Sequence, residues 1–267
     1  MTIGKDVSPS EIRTRRVISA EEGEKIMEAF AKSDVGKARD MNQDFYYIPK
    51  EEDTLKVCIL ADGMGGYKGG EIASRLATTT ALSYIQSNFE KISHEKEEIL
   101  KLIKSSMEYA NMVVYEKSKE DKELEGMGTT LEVCLIYNNK AYIGHVGDSR
   151  IYRIRKEFIR KLTTDHSYVQ KLVKDGTITQ EEAEHHPKKN MLMKALGCTA
   201  FVEPDVTVKG FIKDDIILMC SDGLTNMITN KEIYDIIRED YKNSPEKLIQ
   251  KANENGGYDN ITAIVIK

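Results

Sequence analysis

Val57-Cys-Ile-Leu-Ala-Asp62-Gly63 decides how the rest of the chain is read: a continuous apolar run goes straight into an aspartate and a glycine. A run without polar alternation is expected of a strand buried on both faces. Two more segments repeat the pattern, Ile143-Gly-His-Val-Gly147-Asp148-Ser149 and Ile216-Ile-Leu-Met-Cys-Ser-Asp222-Gly223. A fourth, Gly256-Gly-Tyr-Asp259-Asn260, precedes the last apolar run, and Asp44 follows Asn42-Gln43 at the head of an early strand. Taken singly, an Asp-Gly pair is a turn. Taken together, these aspartates sit at rigid strand ends, where side chains are held in fixed geometry and a flanking glycine admits a ligand or backbone. Carboxylates converging on one pocket repel one another unless a cation neutralises them. Hard oxygen donors without cysteine or histidine select magnesium or manganese over zinc.

Working outward, Ala29 to Ser33, Phe45 to Ile48 and Lys56 to Ala61 read as strands. Two helices follow, because Ile72, Leu76, Leu82, Ile85 and Phe89 recur at helical spacing, as do Ile99, Ile103, Met107, Ala110 and Val114. Strands resume at Thr130 to Tyr137, Ala141 to Val146, Ile151 to Ile154 and Phe158 to Leu162, with Asn138-Asn139 as a hairpin turn. Residues 163–190 are polar and read as a surface flap, in which Gly176 ends one short helix and Thr179-Gln-Glu-Glu182 caps another. The tail gives a strand at Ile216 to Cys220, a helix near Lys231 to Glu239, a second helix with Ser244 at its N-cap and Pro245 in its first turn, and a final strand at Ile261 to Ile266. Strands on either side of a helix pair predict α+β layers, and the short turns between adjacent strands disfavour a doubly wound α/β sheet. Residues 1–25 are polar and form an N-terminal extension, with Ser19-Ala-Glu-Glu22 as a capping box, ahead of one domain over 26–267.

The 44 acidic and 39 basic residues are well mixed and leave a net charge of −5, which provides no footprint for nucleic acid and no polybasic membrane anchor. No apolar run approaches the roughly 20 residues of a membrane helix, and Met1 to Arg16 lacks the apolar core of a secretory signal. Cys58, Cys134, Cys198 and Cys220 are far apart, three of them inside apolar runs, and read as reduced thiols of a cytoplasmic protein. None has an arginine six positions on, which excludes cysteine-based phosphatase chemistry. Gly65-Gly66-Tyr67-Lys68-Gly69-Gly70 lacks Walker spacing and reads as a strand-to-helix loop. His185-His186 reads as a solvated pair and His145 as a core or cleft histidine, while His166 is placed to reach the mouth of a pocket.

In order, Ser33-Asp-Val-Gly-Lys-Ala-Arg39-Asp-Met-Asn42-Gln43-Asp44, Ala61-Asp62-Gly63-Met64-Gly65-Gly66, Gly128-Thr129-Thr130, Gly147-Asp148-Ser149-Arg150, Leu162-Thr-Thr-Asp165-His166-Ser167, His186-Pro187-Lys-Lys-Asn190, Ser221-Asp222-Gly223-Leu224 and Asp259-Asn260-Ile261-Thr262 form a set. By these motifs residues 28–267 resemble the metal-dependent protein phosphatases (phosphatase type 2C), and among them the compact bacterial serine/threonine members. The resemblance implies a four-layer αββα sandwich, two antiparallel sheets flanked by antiparallel helix pairs. It implies hydrolysis of phosphoserine and phosphothreonine monoesters by water activated in a binuclear Mn2+ or Mg2+ site. Asp62 and the carbonyl of Gly63 would serve both ions, Asp44 one, and Asp222 with Asp259 the other. Asp148 with Asp222 matches a weaker third ion, and Arg39 matches the arginine that clamps the substrate phosphate. Partners implied are phosphorylated proteins and a cognate serine/threonine kinase system, with no nucleic acid or membrane, the chain acting as a monomer.

The departures carry their own expectations. Met64 stands where many eukaryotic relatives have a histidine, and a thioether cannot donate a proton, so the leaving group must be protonated by metal-held water or another residue. Gln43 replaces a commoner glutamate beside Asp44, which removes a charge from behind the ligands and weakens metal binding. Lys171, Lys174, Lys188 and Lys189 in the flap read as solvated surface charges or as a lure for a phosphopeptide. Two alternatives share the fold: a catalytically inactive module that binds phosphoproteins, and a phosphatase dedicated to one regulatory phosphoprotein. An inactive module would have lost metal aspartates, and all of them are present.

Overall fold

Two six-stranded sheets form the centre of the computed structural model, which describes residues 27–66, 68–120 and 122–267 and the backbone of 13–17. The capping box expected at Ser19 to Glu22 lies outside the described residues. The first sheet runs β1 (Arg13–Val17), β2 (Met27–Asp34), β12 (Ile261–Ile266), β11 (Ile216–Cys220), β8 (Arg150–Arg155) and β9 (Phe158–Lys161). The second runs β10 (Asp205–Gly210), β7 (Lys140–Val146), β6 (Leu131–Tyr137), β4 (Val57–Met64) and β3 (Asp44–Tyr47), with β5 (Gly128–Thr129) paired to the end of β4. All pairings are antiparallel.

The alternation along β4 explains its unbroken apolar run. Cys58 and Leu60 point into the space between the sheets, where they meet Ala31, Ile151, Met219 and Ile264. Val57, Ile59 and Ala61 point the other way, onto α1 (Gly69–Asn88) and α2 (Lys96–Glu120). β11 does the same in the first sheet, with Ile217 and Met219 inward and Ile216, Leu218 and Cys220 outward. That outward face packs against α6 (Asn230–Glu239) and α7 (Ser244–Glu254). Successive residues of a strand face opposite sides, so a strand in the middle of four layers has no polar position. The architecture is the expected αββα sandwich.

Local chemistry sets the helix faces and ends. Ala73, Ala77, Ala81 and Ile85 form one buried stripe of α1, and the small side chains let the helix lie close to the sheet. Thr229 and Glu232 close a reciprocal capping box at the start of α6. At α7 the cap is shifted from expectation. The helix begins at Ser244 itself with Asn243 before it, and Ser244 Oγ donates to the carbonyl of Tyr241 instead of capping.

Between β9 and β10 lies the flap, with α3 (Tyr168–Lys174) and α4 (Gln180–Glu184). Gly176 has φ +72° just beyond α3, and both bonds of the Thr179–Glu182 capping box are made, as the sequence predicts. Three strands were not anticipated, among them the two-residue β5. β10 is a half-exposed edge strand with no apolar run, and β1 falls in the stretch expected to be an extension, where its backbone pairs with β2.

Candidate metal centre

Five aspartates reach one edge of the sandwich from both sheets. Asp44 opens β3 and lies directly opposite Asp62 in β4. Like charges facing each other across a ladder destabilise it. Asp148 follows β7 in the crossing to the first sheet, Asp222 begins α5 (Asp222–Thr225) after β11, and Asp259 precedes β12. β11 ends where antiparallel β12 begins, so Asp222 and Asp259 share that edge.

Two glycines bring the backbone close. A Cβ at Gly63 would stand 2.1 Å from the carbonyl oxygen of Gly70 and 2.6 Å from that of Gln43. Gly63 N–H donates to that Gln43 carbonyl at 3.1 Å. Gly147 turns the chain at φ +120°, a conformation side chains rarely adopt, and places Asp148 beside Arg150.

The electrostatics follow from the crowding. Burial, with Asp222 and Asp259 adding repulsion, pushes the Asp44 carboxyl up to about 7 despite two hydroxyl donors. Burial and then Asp44, Asp222, Asp148 and Asp259 raise Asp62 well above the carboxylate range. Asp148 is pushed up to about 8 by burial and the charges of Asp222 and Asp165. Asp222 is pushed up to about 6 by burial and the charge of Asp259, although Asn226 Nδ2 donates to its Oδ2 at 3.0 Å. Asp62, Asp148, Asp222 and Asp259 are only half-buried by exposed area, so an ion and its water can reach them.

Asp44 is fixed from behind. Ser221 Oγ and Thr262 Oγ1 both donate to its Oδ2, at 2.8 and 2.6 Å. Thr262 spends its only proton there, so Ser33 Oγ, 2.7 Å away, must donate to Thr262 and in turn accepts from Asn42 Nδ2. The other oxygen, Asp44 Oδ1, is buried without a partner. A buried carboxylate oxygen without a donor is expensive, and a cation is the partner that satisfies it and relieves the mutual repulsion. Among the described residues no three His, Cys, Asp or Glu side chains close on one ion by themselves. The donors gathered at the edge are hard carboxylate and carbonyl oxygens, which suit magnesium or manganese better than zinc.

Arg39 lies on the rim. Its Nη2 donates to Asp259 Oδ2 at 3.0 Å, and more than half of its side chain is exposed. Asn260 holds the loop that carries it: Oδ1 accepts from Gln43 N–H at 2.8 Å, and Nδ2 donates to the carbonyls of Val35 and Met41. The Gln43 side-chain amide donates to the carbonyl of Gly66 at 3.1 Å. Met64 pairs with Gly128 in the ladder, and its methyl lies against that glycine together with Cys198.

The histidines separate. His185 is exposed in the flap, while His186 is half-buried beside Tyr168 and accepts from Lys188 N–H through Nδ1. His145 is buried against Glu132, a satisfied core histidine, and His166 stacks on it. Lys171, Lys174, Lys188 and Lys189 are all exposed. Sequence reasoning assigned no part to Ser221, Thr262, Thr130, Asn226 or Glu132. The one local signal was Glu132 itself, an acid inside the apolar run of β6.

The sandwich and its carboxylate edge define a metal-dependent phosphohydrolase scaffold. Residues 37–263 match the family model for protein phosphatase 2C, and the chain belongs to that family. It is 39% identical over 245 residues to protein phosphatase PhpP of Streptococcus pneumoniae, covering 90% of this chain and 97% of that protein. The crystal structure of serine/threonine phosphatase Stp1 from Staphylococcus aureus superposes with a TM-score of 0.82 at 33% identity, over 93% of this chain and 98% of that one. The catalytic domain of the serine/threonine protein phosphatase PstP, solved with 2 manganese ions, gives a TM-score of 0.78 at 32% identity, over 90% and 97%.

Proposed function

We propose that this protein phosphatase hydrolyses phosphoserine and phosphothreonine monoesters of proteins at the carboxylate edge. Asp44, Asp62, the carbonyl of Gly63, Asp222 and Asp259 would hold two Mn2+ or Mg2+ ions, and Asp148 with Asp222 a weaker third. The observation that carries the reading is Asp44: one oxygen is saturated by two hydroxyls while the other is buried, unpartnered and surrounded by like charges. Bound divalent ions supply the charge that acidifies water into a nucleophile and neutralises the phosphoryl group.

The chain's own residues do the positioning. The hydroxyl relay through Ser33 and Thr262 keeps Oδ1 of Asp44 turned away from its donors. Asn260 fixes the loop so that the Arg39 guanidinium, docked on Asp259, presents N–H donors at the rim to two phosphoryl oxygens. Met64 has no proton to give, so the serine or threonine alkoxide leaves by taking a proton from solvent or another residue. Substrates are proteins phosphorylated by a cognate serine/threonine kinase, and the chain acts as a monomer. Three buried, unbonded cysteines, Cys58, Cys134 and Cys220, support a reducing, cytoplasmic setting.

Hydrolysis of p-nitrophenyl phosphate and of a phosphothreonine peptide, with added Mn2+ and with a chelator, tests the proposal beside Asp222→Ala. Turnover that needs the metal and is lost in a folded Asp222→Ala variant supports it. Full activity in that variant sinks it.

A further inference from the structure

A second set of buried titratable side chains lies outside the carboxylate edge. Glu132 in β6 and His145 in β7 are opposite one another in register, with 0% and 2% of their side chains exposed. His145 Nδ1 lies 2.9 Å from both carboxyl oxygens of Glu132. Its Nε2 lies 2.8 Å from the carbonyl of Thr164, which can only accept, so Nε2 carries a proton. Burial raises the Glu132 carboxyl and lowers the His145 imidazole, which favours the uncharged form of each. His166 stacks on His145 with ring centroids 4.5 Å apart and planes inclined by 26°.

His166 then makes four links. Its Nδ1 accepts from Gly147 N–H at 3.1 Å, its backbone N–H donates to the Gly147 carbonyl at 2.7 Å, its carbonyl accepts from Met193 N–H at 2.8 Å, and its Nε2 faces Asp205 Oδ2 at 3.3 Å. Asp205 also reaches Lys194 Nζ at 3.5 Å, beyond the flap. The cluster therefore grips the turn next to Asp148, the first residues of the flap at Thr164 and His166, and the chain returning from it. A cavity of about 370 Å3 opens beside His145, Thr163, Thr164 and Asp205. On that side directed hydrogen bonds, and not close packing, hold the segments in place. An apolar pair would fill this interior with less desolvation, yet it could orient neither Thr164 nor His166.

We propose that Glu132, His145 and His166, closed by Asp205, are positioning residues that set the flap and the Asp148 turn in one shared geometry. The inference rests on the reading of Asp148 as part of the ion site and deepens it: placement of the third ion and of a peptide substrate depend on the same buried acid.

The test uses the full chain and two readouts: the Mn2+ concentration for half-maximal turnover of p-nitrophenyl phosphate, and KM for a phosphothreonine peptide. Glu132→Leu keeps the volume but leaves Nδ1 without a donor, and should raise the Mn2+ requirement and the peptide KM by about tenfold. Glu132→Gln offers an amide N–H where the acid offered O–H, and should return both to within about twofold of wild type. Should Glu132→Leu not fold, His166→Phe keeps the stacked ring, loses the acceptor for Gly147 N–H and must raise the same Mn2+ requirement. A folded Glu132→Leu or His166→Phe with wild-type Mn2+ requirement and KM overturns the inference. So does a loss that Glu132→Gln fails to recover, since a hydrogen-bond donor to His145 Nδ1 would then not be what the flap and the turn depend on. A wild type without Mn2+-dependent turnover would overturn the functional reading and this inference together; Mn2+-dependent wild type with indifferent variants overturns the inference alone.

Discussion

Replacing Asp44 by asparagine should stabilise the metal-free protein while abolishing its activity. Burial pushes the folded carboxyl up to about 7 from its ordinary 3.8, and the group is only 8% exposed. The difference, 7 − 3.8, is about 3 pH units, equivalent to about 4 kcal/mol at 1.36 kcal/mol per unit. Between those two pH values the folded protein binds the proton that the unfolded chain has lost, so stability falls as pH rises and the full penalty is present above pH 7. Asp44→Asn removes the charge and keeps the shape, with its amide oxygen still able to accept from Ser221 and Thr262. In chelator at pH 8 its gain has that 4 kcal/mol as a ceiling; at about 2–4 °C per kcal/mol, a rise of several degrees in Tm is expected. At pH 4 most of the gain should vanish, because the folded carboxyl is then protonated and the unfolded one has taken up about half a proton. Added Mn2+ should stabilise the wild type and not the variant. Thermal melts followed by circular dichroism at the two pH values, with and without metal, provide the four numbers. A variant that melts below wild type in chelator at pH 8 would show that these carboxylates do not strain the fold.

Asn260→Ala deletes a side chain making three hydrogen bonds to Gln43, Val35 and Met41; denaturant unfolding should report a loss of about 3 kcal/mol, and phosphate-ester KM should rise as the Arg39 loop loosens. Arg39→Ala removes charge-assisted bonds worth about 1.5–3 kcal/mol, so kcat/KM should fall roughly 10- to 100-fold with an unchanged melting curve and weaker inhibition by inorganic phosphate. Gly63→Ala drives a methyl to 2.1 Å from the Gly70 carbonyl, and equilibrium unfolding should show a loss of about 1–3 kcal/mol together with lower Mn2+ affinity in calorimetry.

What was legible in the chain was whatever leaves a local mark. β4 and β11 declare themselves because a strand between a sheet and a helix layer has no polar face. The five aspartates stand out because each adjoins a strand end. β10 leaves no such mark, since an edge strand half-open to solvent needs no apolar run. The capping of α7 was misplaced by one residue because Ser244 finds a better partner in the Tyr241 carbonyl than its own helix offers. The donors that fix Asp44 lie 177 and 218 residues away in the chain, and Ser221 and Thr262 look like any other small hydroxyl residues until β11 and β12 bring them beside β3. Glu132 was overlooked for the opposite reason: a single acid breaks an apolar run without saying what it pairs with.

The division between legible and hidden parts follows from how the edge is built. Asp44, Asp62 and Asp148 come from ends of the second sheet, Asp222 and Asp259 from the first, so only the stacking of two sheets gathers them. Neither sheet alone would suffer the full repulsion, and neither would have reason to carry a buried, unpartnered oxygen at Asp44. Three apolar layers behind the edge, between the sheets and under each helix pair, supply the stability that lets the folded chain hold those charges together before any cation arrives. Weakening those layers should therefore raise the metal concentration needed to keep the protein folded even where no ligand is touched. Leu60→Ala, which opens a cavity in the middle layer at a loss of about 2–5 kcal/mol, is the substitution that exposes this coupling, read as a melting temperature that depends on Mn2+ more steeply than the wild type's. Equal Mn2+ dependence in the two proteins would mean that the layers and the edge are energetically separate.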